Sequence, residues 1–161
     1  GDDRMDSWRA LEKLKDQGKV RSIGVSNYGV HHLKQLKEKC VIPPAVNQCE
    51  VNPYIRRKAL HDYCIANGIV LIAYSPLTKG KKLSDPKLVE MAKRYNRTPA
   101  QILIRWCVEM ECVVIPKSAK KVRIEENFKV FDFSLDDDDR EEMSTWDEYL
   151  VTGWDPTAEE I

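Results

Sequence analysis

The feature that most constrains this chain is a repeated exchange between two hydrophobic periods. Short apolar runs, several of them β-branched, alternate with segments whose apolar residues recur every three to four positions. An apolar run bounded by turn residues suits a strand buried on both faces, and a helix after it carries the chain back to start the next strand in the same direction. The alternation predicts an α/β fold with a parallel sheet and right-handed crossovers.

Trp8, Leu11 and Leu14 mark a helix over residues 6–15, and Gly18 sits where such a helix stops. Residues 20–25 read as a strand ended by Ser26-Asn27, and a second helix with Leu33 and Leu36 inside runs to Lys39. Pro43-Pro44 leads into a strand at 45–49, a third helix spans 56–67 and closes at Gly68, and 69–73 is the clearest buried strand, terminating at Tyr74-Ser75-Pro76. After a lysine-rich loop at 77–83, a helix places Leu88, Met91, Ala92 and Tyr95 on one face. Ser84 or Asp85 can cap it, with Pro86 in its first turn. Thr98-Pro99 opens the next helix, with Leu103, Trp106, Cys107 and Met110 inward, before a strand at 112–115 and a helix at about 122–129. Asp136 to Asp139 read as the acidic cap and first turn of a last helix toward Trp146, not as a metal site, because carboxylates favour the positive end of a helix. Four strands suffice for a small open sheet and are half of what a (β/α)8 barrel of about 250 residues requires.

Composition narrows the function. With 161 residues, 42% of them hydrophobic, the chain suits one domain around one core. Lys plus Arg equals Asp plus Glu, 26 against 26, so no net field favours nucleic acid or an anionic membrane, and any anion site is local. Five cysteines without a CxxC pair read as reduced core residues, and no window approaches the roughly 18 apolar residues of a membrane span. A soluble cytoplasmic protein is expected. The chain begins Gly1-Asp2-Asp3 without an initiator methionine and enters an amphipathic helix almost at once, which reads as a piece of a longer protein.

The chemistry-bearing segment is Ile115-Pro116-Lys117-Ser118, followed by Arg123, Glu126 and Asn127. Val113, Val114 and Ile115 form a β-branched run of the buried-strand kind, and Pro116 halts it just before Lys117 and Ser118. Loops after the carboxyl ends of parallel strands build ligand sites, and a helix opening there adds unpaired N–H groups and a positive dipole end. Lys117, Ser118 and Arg123 would then meet an anion together, pointing to a nucleotide cofactor. The competing reading is that they merely decorate a loop.

Taken together, the strand ends resemble the aldo-keto reductase family, over nearly the whole chain. Leu11 with Arg21-Ser22-Ile23-Gly24-Val25-Ser26-Asn27-Tyr28 is similar to one family motif, and Ile115-Pro116-Lys117-Ser118 through Arg123 and Asn127 to another. Pro44-Ala45-Val46-Asn47-Gln48 and Ala73-Tyr74-Ser75-Pro76-Leu77 look like its sixth and seventh strand ends. The resemblance implies the carboxyl-terminal half of a (β/α)8 TIM barrel, four parallel strands with crossover helices. It implies NADPH-dependent reduction of aldehydes and ketones to alcohols, with a small carbonyl compound as substrate.

By the same resemblance, Ser26, Asn27 and Gln48 hydrogen-bond the nicotinamide carboxamide, Tyr74 stacks on the nicotinamide, and Ser75 and Leu77 line the pyrophosphate path. Lys117, Ser118 and Arg123 hold the 2′-phosphate, favouring NADP(H) over NAD(H), while Glu126 and Asn127 meet the adenine. These roles suit the residue types, since amides pair with amides and cations meet phosphate. An amide such as Asn47 or Gln48 has a second use at a strand end, satisfying local backbone.

The family's proton-donating tyrosine, with its lysine, aspartate and histidine, comes from the first half of the barrel, which is absent here. No catalytic residue is therefore assigned: Tyr28, Tyr54, Tyr63, Tyr95 and Tyr149 follow the wrong strands or lie on helices. His31, His32 and His61 read as surface or packing residues. The loop at 77–83 is shorter than the cofactor belt of many relatives, and the tail after Trp146 corresponds to the segment that closes the substrate pocket. Trp154 there touches substrate or is an exposed tail aromatic. Residues 1–161 are expected to act as a single NADP-dependent oxidoreductase domain. The alternatives are a non-catalytic nucleotide-binding or regulatory fragment, and a truncated chain with no stable fold. A half barrel has open sheet edges, which invite self-association.

Overall fold

The computed structural model describes residues 2–158, and among them seven α-helices and four strands follow in the expected order. They form two compact units: residues 2–49, 58–71 and 154–158 in the first, 50–57 and 72–153 in the second.

The first unit opens with α1 (Asp2–Asp16), which begins four residues earlier than its apolar series suggests, and Gly18 at φ +69° ends it. β1 (Gly24–Ser26), α2 (Val30–Lys39), β2 (Val46–Glu50), α3 (Lys58–Ala66) and the start of β3 (Val70–Tyr74) follow. Met5, Trp8, Ile23 and Leu36 make the core of this unit, with Leu11, Val25, Tyr28, Cys40 and Ile42 packed around them. A buried carboxylate fastens it. The Trp8 indole N–H donates to Glu12 Oε1 and to the Ile42 carbonyl, both at 3.1 Å, and the same Glu12 oxygen accepts the Val41 and Ile42 amides at 2.8 Å. The turn after α2 is thereby pinned to α1.

β1 is three residues long, where residues 20–25 were expected. Its register pairs Gly24 with Val46, Val25 with Asn47 and Ser26 with Gln48. Carried backward, that register sets residues 21 and 22 opposite Pro43 and Pro44, which have no N–H to donate, so the ladder cannot extend. One further bond survives, from Ala45 N–H to the Ile23 carbonyl at 2.9 Å. Gly24 is required by closeness: a Cβ there would lie 2.3 Å from Val46 Cγ2 and 2.7 Å from the Val46 carbonyl oxygen. α3 starts at Lys58 and not at residue 56, because Arg57 sits at φ 49°, outside helical space. The Val70 amide donates to the Ala45 carbonyl at 2.9 Å, bringing the start of β3 alongside β2.

In the second unit the end of β3 pairs in parallel with β4 (Val113–Val114), and the sheet order is β1-β2-β3-β4. α4 (Pro86–Arg94) is capped by Asp85, whose carboxylate accepts the Lys87 amide. α5 (Pro99–Glu109) opens with Thr98 and Gln101 exchanging side-chain bonds with each other's amides. α5 packs on α4, β4 and α6 (Lys121–Phe128). Leu88, Met91, Leu103, Trp106 and Met143 are fully buried. α7 (Asp137–Ser144) carries the expected acidic cap, Asp136 accepting the Asp139 amide at 2.8 Å. Asp139 is itself buried, pairs with Arg94 and accepts the Tyr95 hydroxyl at 2.6 Å. Burial and then the Asp139 bond push that hydroxyl up to about 12.

β4 departs from the buried-strand reading. It pairs over two residues only, and Val113 and Ile115 remain 48% and 43% exposed, because the strand lies at the sheet edge with a neighbour on one side. Nearby, Phe128 and Phe131 are exposed and meet edge to face. The five cysteines form no disulfide among the described residues, four being buried and Cys40 half-buried, and His32 and His61 are packed inside as expected. No helix among the described residues is long and apolar enough to cross a membrane.

Candidate functional site

In the second unit, β4 runs out at Val114, and the chain turns through Pro116 into a loop that reaches α6 at Lys121. This loop and the first turns of α5 and α6 enclose a cleft of about 480 Å³, lined by Lys117, Ser118, Ala119, Lys120, Arg123, Glu126 and Asn127 on one side and by Thr98, Pro99, Ala100, Leu77 and Leu83 on the other. Six sequence-predicted residues thus converge: Leu77, Lys117, Ser118, Arg123, Glu126 and Asn127.

Three cationic side chains, Lys117, Lys120 and Arg123, and one carboxylate, Glu126, line this cleft. Lys117 and Arg123 are exposed, and among the described residues neither side chain has an ion-pair or hydrogen-bond partner. Glu126 is already engaged, accepting the Thr98 hydroxyl at 2.8 Å. Ser118 Oγ accepts the Lys120 amide at 3.2 Å, which shapes the turn into α6. α6 has no side-chain cap at its amino end, so its first N–H groups and positive dipole end stay available beside Lys120. The arrangement offers three cations, a hydroxyl and a helix terminus to an anion.

Tyr74 ends β3, and Ser75 follows at φ 48°, its carbonyl accepting the Thr78 amide at 3.0 Å and the Asn52 side-chain amide at 3.4 Å. Neither lines the cleft. The contributions of Thr98, Pro99 and Ala100 were not anticipated, although the Thr98-Pro99 helix start was the signal that marks them.

In the first unit, Ser26 and Asn27 at the carboxyl end of β1 come together with Gln48 in the middle of β2. The Gln48 carbonyl accepts both the Ser26 hydroxyl at 2.9 Å and the Asn27 amide at 2.8 Å, with Asn27 at φ 58°. Asn47, fully buried, holds the turn, donating to the Tyr28 carbonyl at 2.8 Å and accepting the Tyr28 amide at 3.3 Å. Asn47 therefore takes the backbone-satisfying role, and the Gln48 side chain is left half-exposed within β2. Trp154 belongs to this unit and is 68% exposed. The last three residues of the expected pocket-closing tail lie outside the described residues.

Tyr54 is not a substitute acid. It is 1% exposed and its hydroxyl donates to Asp85 Oδ2 at 3.2 Å. Burial first, and Asp85 next, push its ionisation well above the ordinary tyrosine range.

A parallel α/β sheet with an open cationic cleft beyond a strand end is an architecture of the barrel and doubly wound classes. The chain belongs to the aldo/keto reductase family, whose model matches residues 2–149. It is 46% identical over 138 residues to glyoxal reductase of Bacillus subtilis, covering 86% of this chain and 50% of that protein. Among solved structures it is similar to MGS-M4, an aldo-keto reductase from a deep-sea metagenome library, with 41% identity and a TM-score of 0.94, covering 99% of this chain and 60% of the other. It is also similar to an aldo-keto reductase, AKR2E5, in complex with NADPH, with 34% identity and a TM-score of 0.87 over 93% of this chain and 49% of that one. The chain spans about half the length of the curated relatives it matches.

Proposed function

We propose that this chain supplies the cofactor-holding portion of an NADPH-dependent aldo-keto reductase, with residues 1–161 acting as one oxidoreductase domain. The observation that carries the reading is the cleft in which Lys117, Lys120 and Arg123, three cations without side-chain partners among the described residues, share a wall with Ser118 and the open end of α6. Its volume falls within the range of cofactor pockets.

The donor set fits the group. Lys117, Ser118 and Arg123 hold the 2′-phosphate, so the cofactor is NADP(H). Glu126 accepts from the adenine amine with Asn127 beside it, and Ser75 and Leu77 flank the pyrophosphate. Ser26, Asn27 and Gln48 pair with the carboxamide, Tyr74 lies against the nicotinamide face, and Trp154 touches the carbonyl substrate. When bound, the reduced cofactor supplies hydride, and reduction of an aldehyde or ketone to its alcohol follows where a proton donor is also present. That the chain lies half-matched on its relatives supports a donor from elsewhere in the complete protein. Five cysteines without a disulfide among the described residues support a reducing, cytoplasmic setting, and the exposed edge at β4 supports self-association. Calorimetric titration of the chain with NADPH and NADH is the test: tighter binding of NADPH is expected, and no binding to a chain shown folded by circular dichroism rejects the reading.

A second reading, nucleotide binding without turnover, is favoured by the buried, Asp85-bound state of Tyr54. It expects NADPH binding with no aldehyde-dependent oxidation by the 161-residue chain, and measurable oxidation eliminates it.

A further inference from the structure

The loop at 77–83 has two sides in use. One side contributes Leu77 and Leu83 to the cleft wall. From its other side Lys79 Nζ donates to the Thr152 carbonyl at 3.1 Å, while Lys82 Nζ pairs with Glu148 at 2.6 Å and sits 4.9 Å from the centre of the Tyr54 ring. The tail segment 147–153 so gripped is anchored opposite. Thr152 gives its amide to both oxygens of the fully buried Glu50 carboxylate, at 3.0 and 3.3 Å, and its hydroxyl to one of them. The Glu148 and Leu150 amides both donate to the Tyr54 carbonyl.

The loop is also held against its own preference. Thr78, Lys79 and Gly80 lie in succession at φ 52°, 50° and 84°, a conformation costly for the two residues with side chains and kept only where contacts impose it. Thr78 is fully buried, and its hydroxyl accepts the Lys82 amide at 3.0 Å.

We propose that Lys79 and Lys82 are positioning residues that couple nucleotide occupancy of the cleft to the placement of the tail at 147–153. The inference rests on the preceding reading of the cleft. A nucleotide pressing on Leu77 and Leu83 favours the loop conformation in which the two lysines reach Thr152 and Glu148, so an ordered tail tightens nucleotide binding and a bound nucleotide orders the tail. Linkage makes both effects the same size.

The experiment uses the 161-residue chain with NADPH as probe. Fluorescence titration gives the Kd, and hydrogen exchange of amides 147–153 is followed with and without NADPH. In the parent chain NADPH is expected to slow exchange of these amides by about fivefold or more. In a K79M/K82M double variant the Kd is expected to rise by about the same factor while NADPH no longer slows the tail. Thr152→Val, which loosens the tail from Glu50 without touching the loop, is expected to raise the Kd in the same direction. Both lysine side chains reach solvent, which keeps the double variant foldable. Unchanged Kd in the double variant, or a tail whose exchange ignores NADPH, overturns the coupling alone. Absence of NADPH binding by the parent chain overturns the cofactor reading and the coupling with it.

Discussion

Replacing Arg123 with Ala removes one of three cations, Lys117, Lys120 and Arg123, from the cleft wall, and its guanidinium has no protein partner among the described residues. A hydrogen bond to a charged group contributes roughly 1.5–3 kcal/mol, and an exposed guanidinium belongs at the low end because solvent screens it. At about 1.5–2 kcal/mol the NADPH affinity should fall roughly 10- to 30-fold. NADH has no 2′-phosphate and should lose less than about threefold. Calorimetry with both nucleotides at two salt concentrations reads the difference, and added salt should shrink the NADPH loss while leaving NADH unmoved. Fold should be intact, with a melting shift of no more than about 2 °C for a change within ±0.5 kcal/mol. If NADPH and NADH weaken equally, Arg123 meets a part common to both nucleotides. If neither changes, the anion assignment of this wall fails.

Three further outcomes follow from the packing. Glu12→Ala strands the Val41 and Ile42 amides and takes one of two acceptors from the Trp8 indole, and should cost roughly 2–3 kcal/mol in urea denaturation followed by tryptophan fluorescence; a loss under about 1 kcal/mol would contradict the buried tie. Gly24→Ala must force β1 from β2, because its Cβ meets Val46 at 2.3 Å, and should destabilise by about 1–3 kcal/mol, whereas an unchanged urea midpoint would deny the close approach. Tyr95 is raised in the folded state from its ordinary 10.0 to about 12, so its stabilising contribution is complete below pH 10 and is lost as pH climbs toward 12. Tyr95→Phe should flatten that part of the stability curve, and an unaltered slope would contradict the shift.

Element order and type were legible because they depend on neighbours in sequence: a β-branched run beside a proline, a Thr98-Pro99 helix start, a glycine after the last helical turn. Lengths were less legible because pairing is not local. Nothing within residues 20–23 announces that Pro43 and Pro44 stand opposite with no amides to offer. The burial expected for Val113 and Ile115 assumed a strand with two neighbours, and β4 has one. In the cleft, the wall of Lys117, Ser118, Arg123, Glu126 and Asn127 could be read from one short segment, while Thr98, Pro99 and Ala100 arrive only through the packing of α5 on α6. The Glu50–Thr152 anchor joins residues 102 positions apart and had no local mark at all.

Asp85 illustrates how two local demands narrow what a position will accept. One of its oxygens closes the first turn of α4 on the Lys87 amide, and the other receives the Tyr54 hydroxyl. Serine or threonine could do the first task and would leave the phenol stranded; asparagine could serve both only in a single orientation of its amide; glutamate carries the charge on a stem one carbon too long for the turn. Drift at this site is therefore confined to simultaneous change at position 54, with Tyr54→Phe the replacement that would free Asp85 to vary among helix-starting residues.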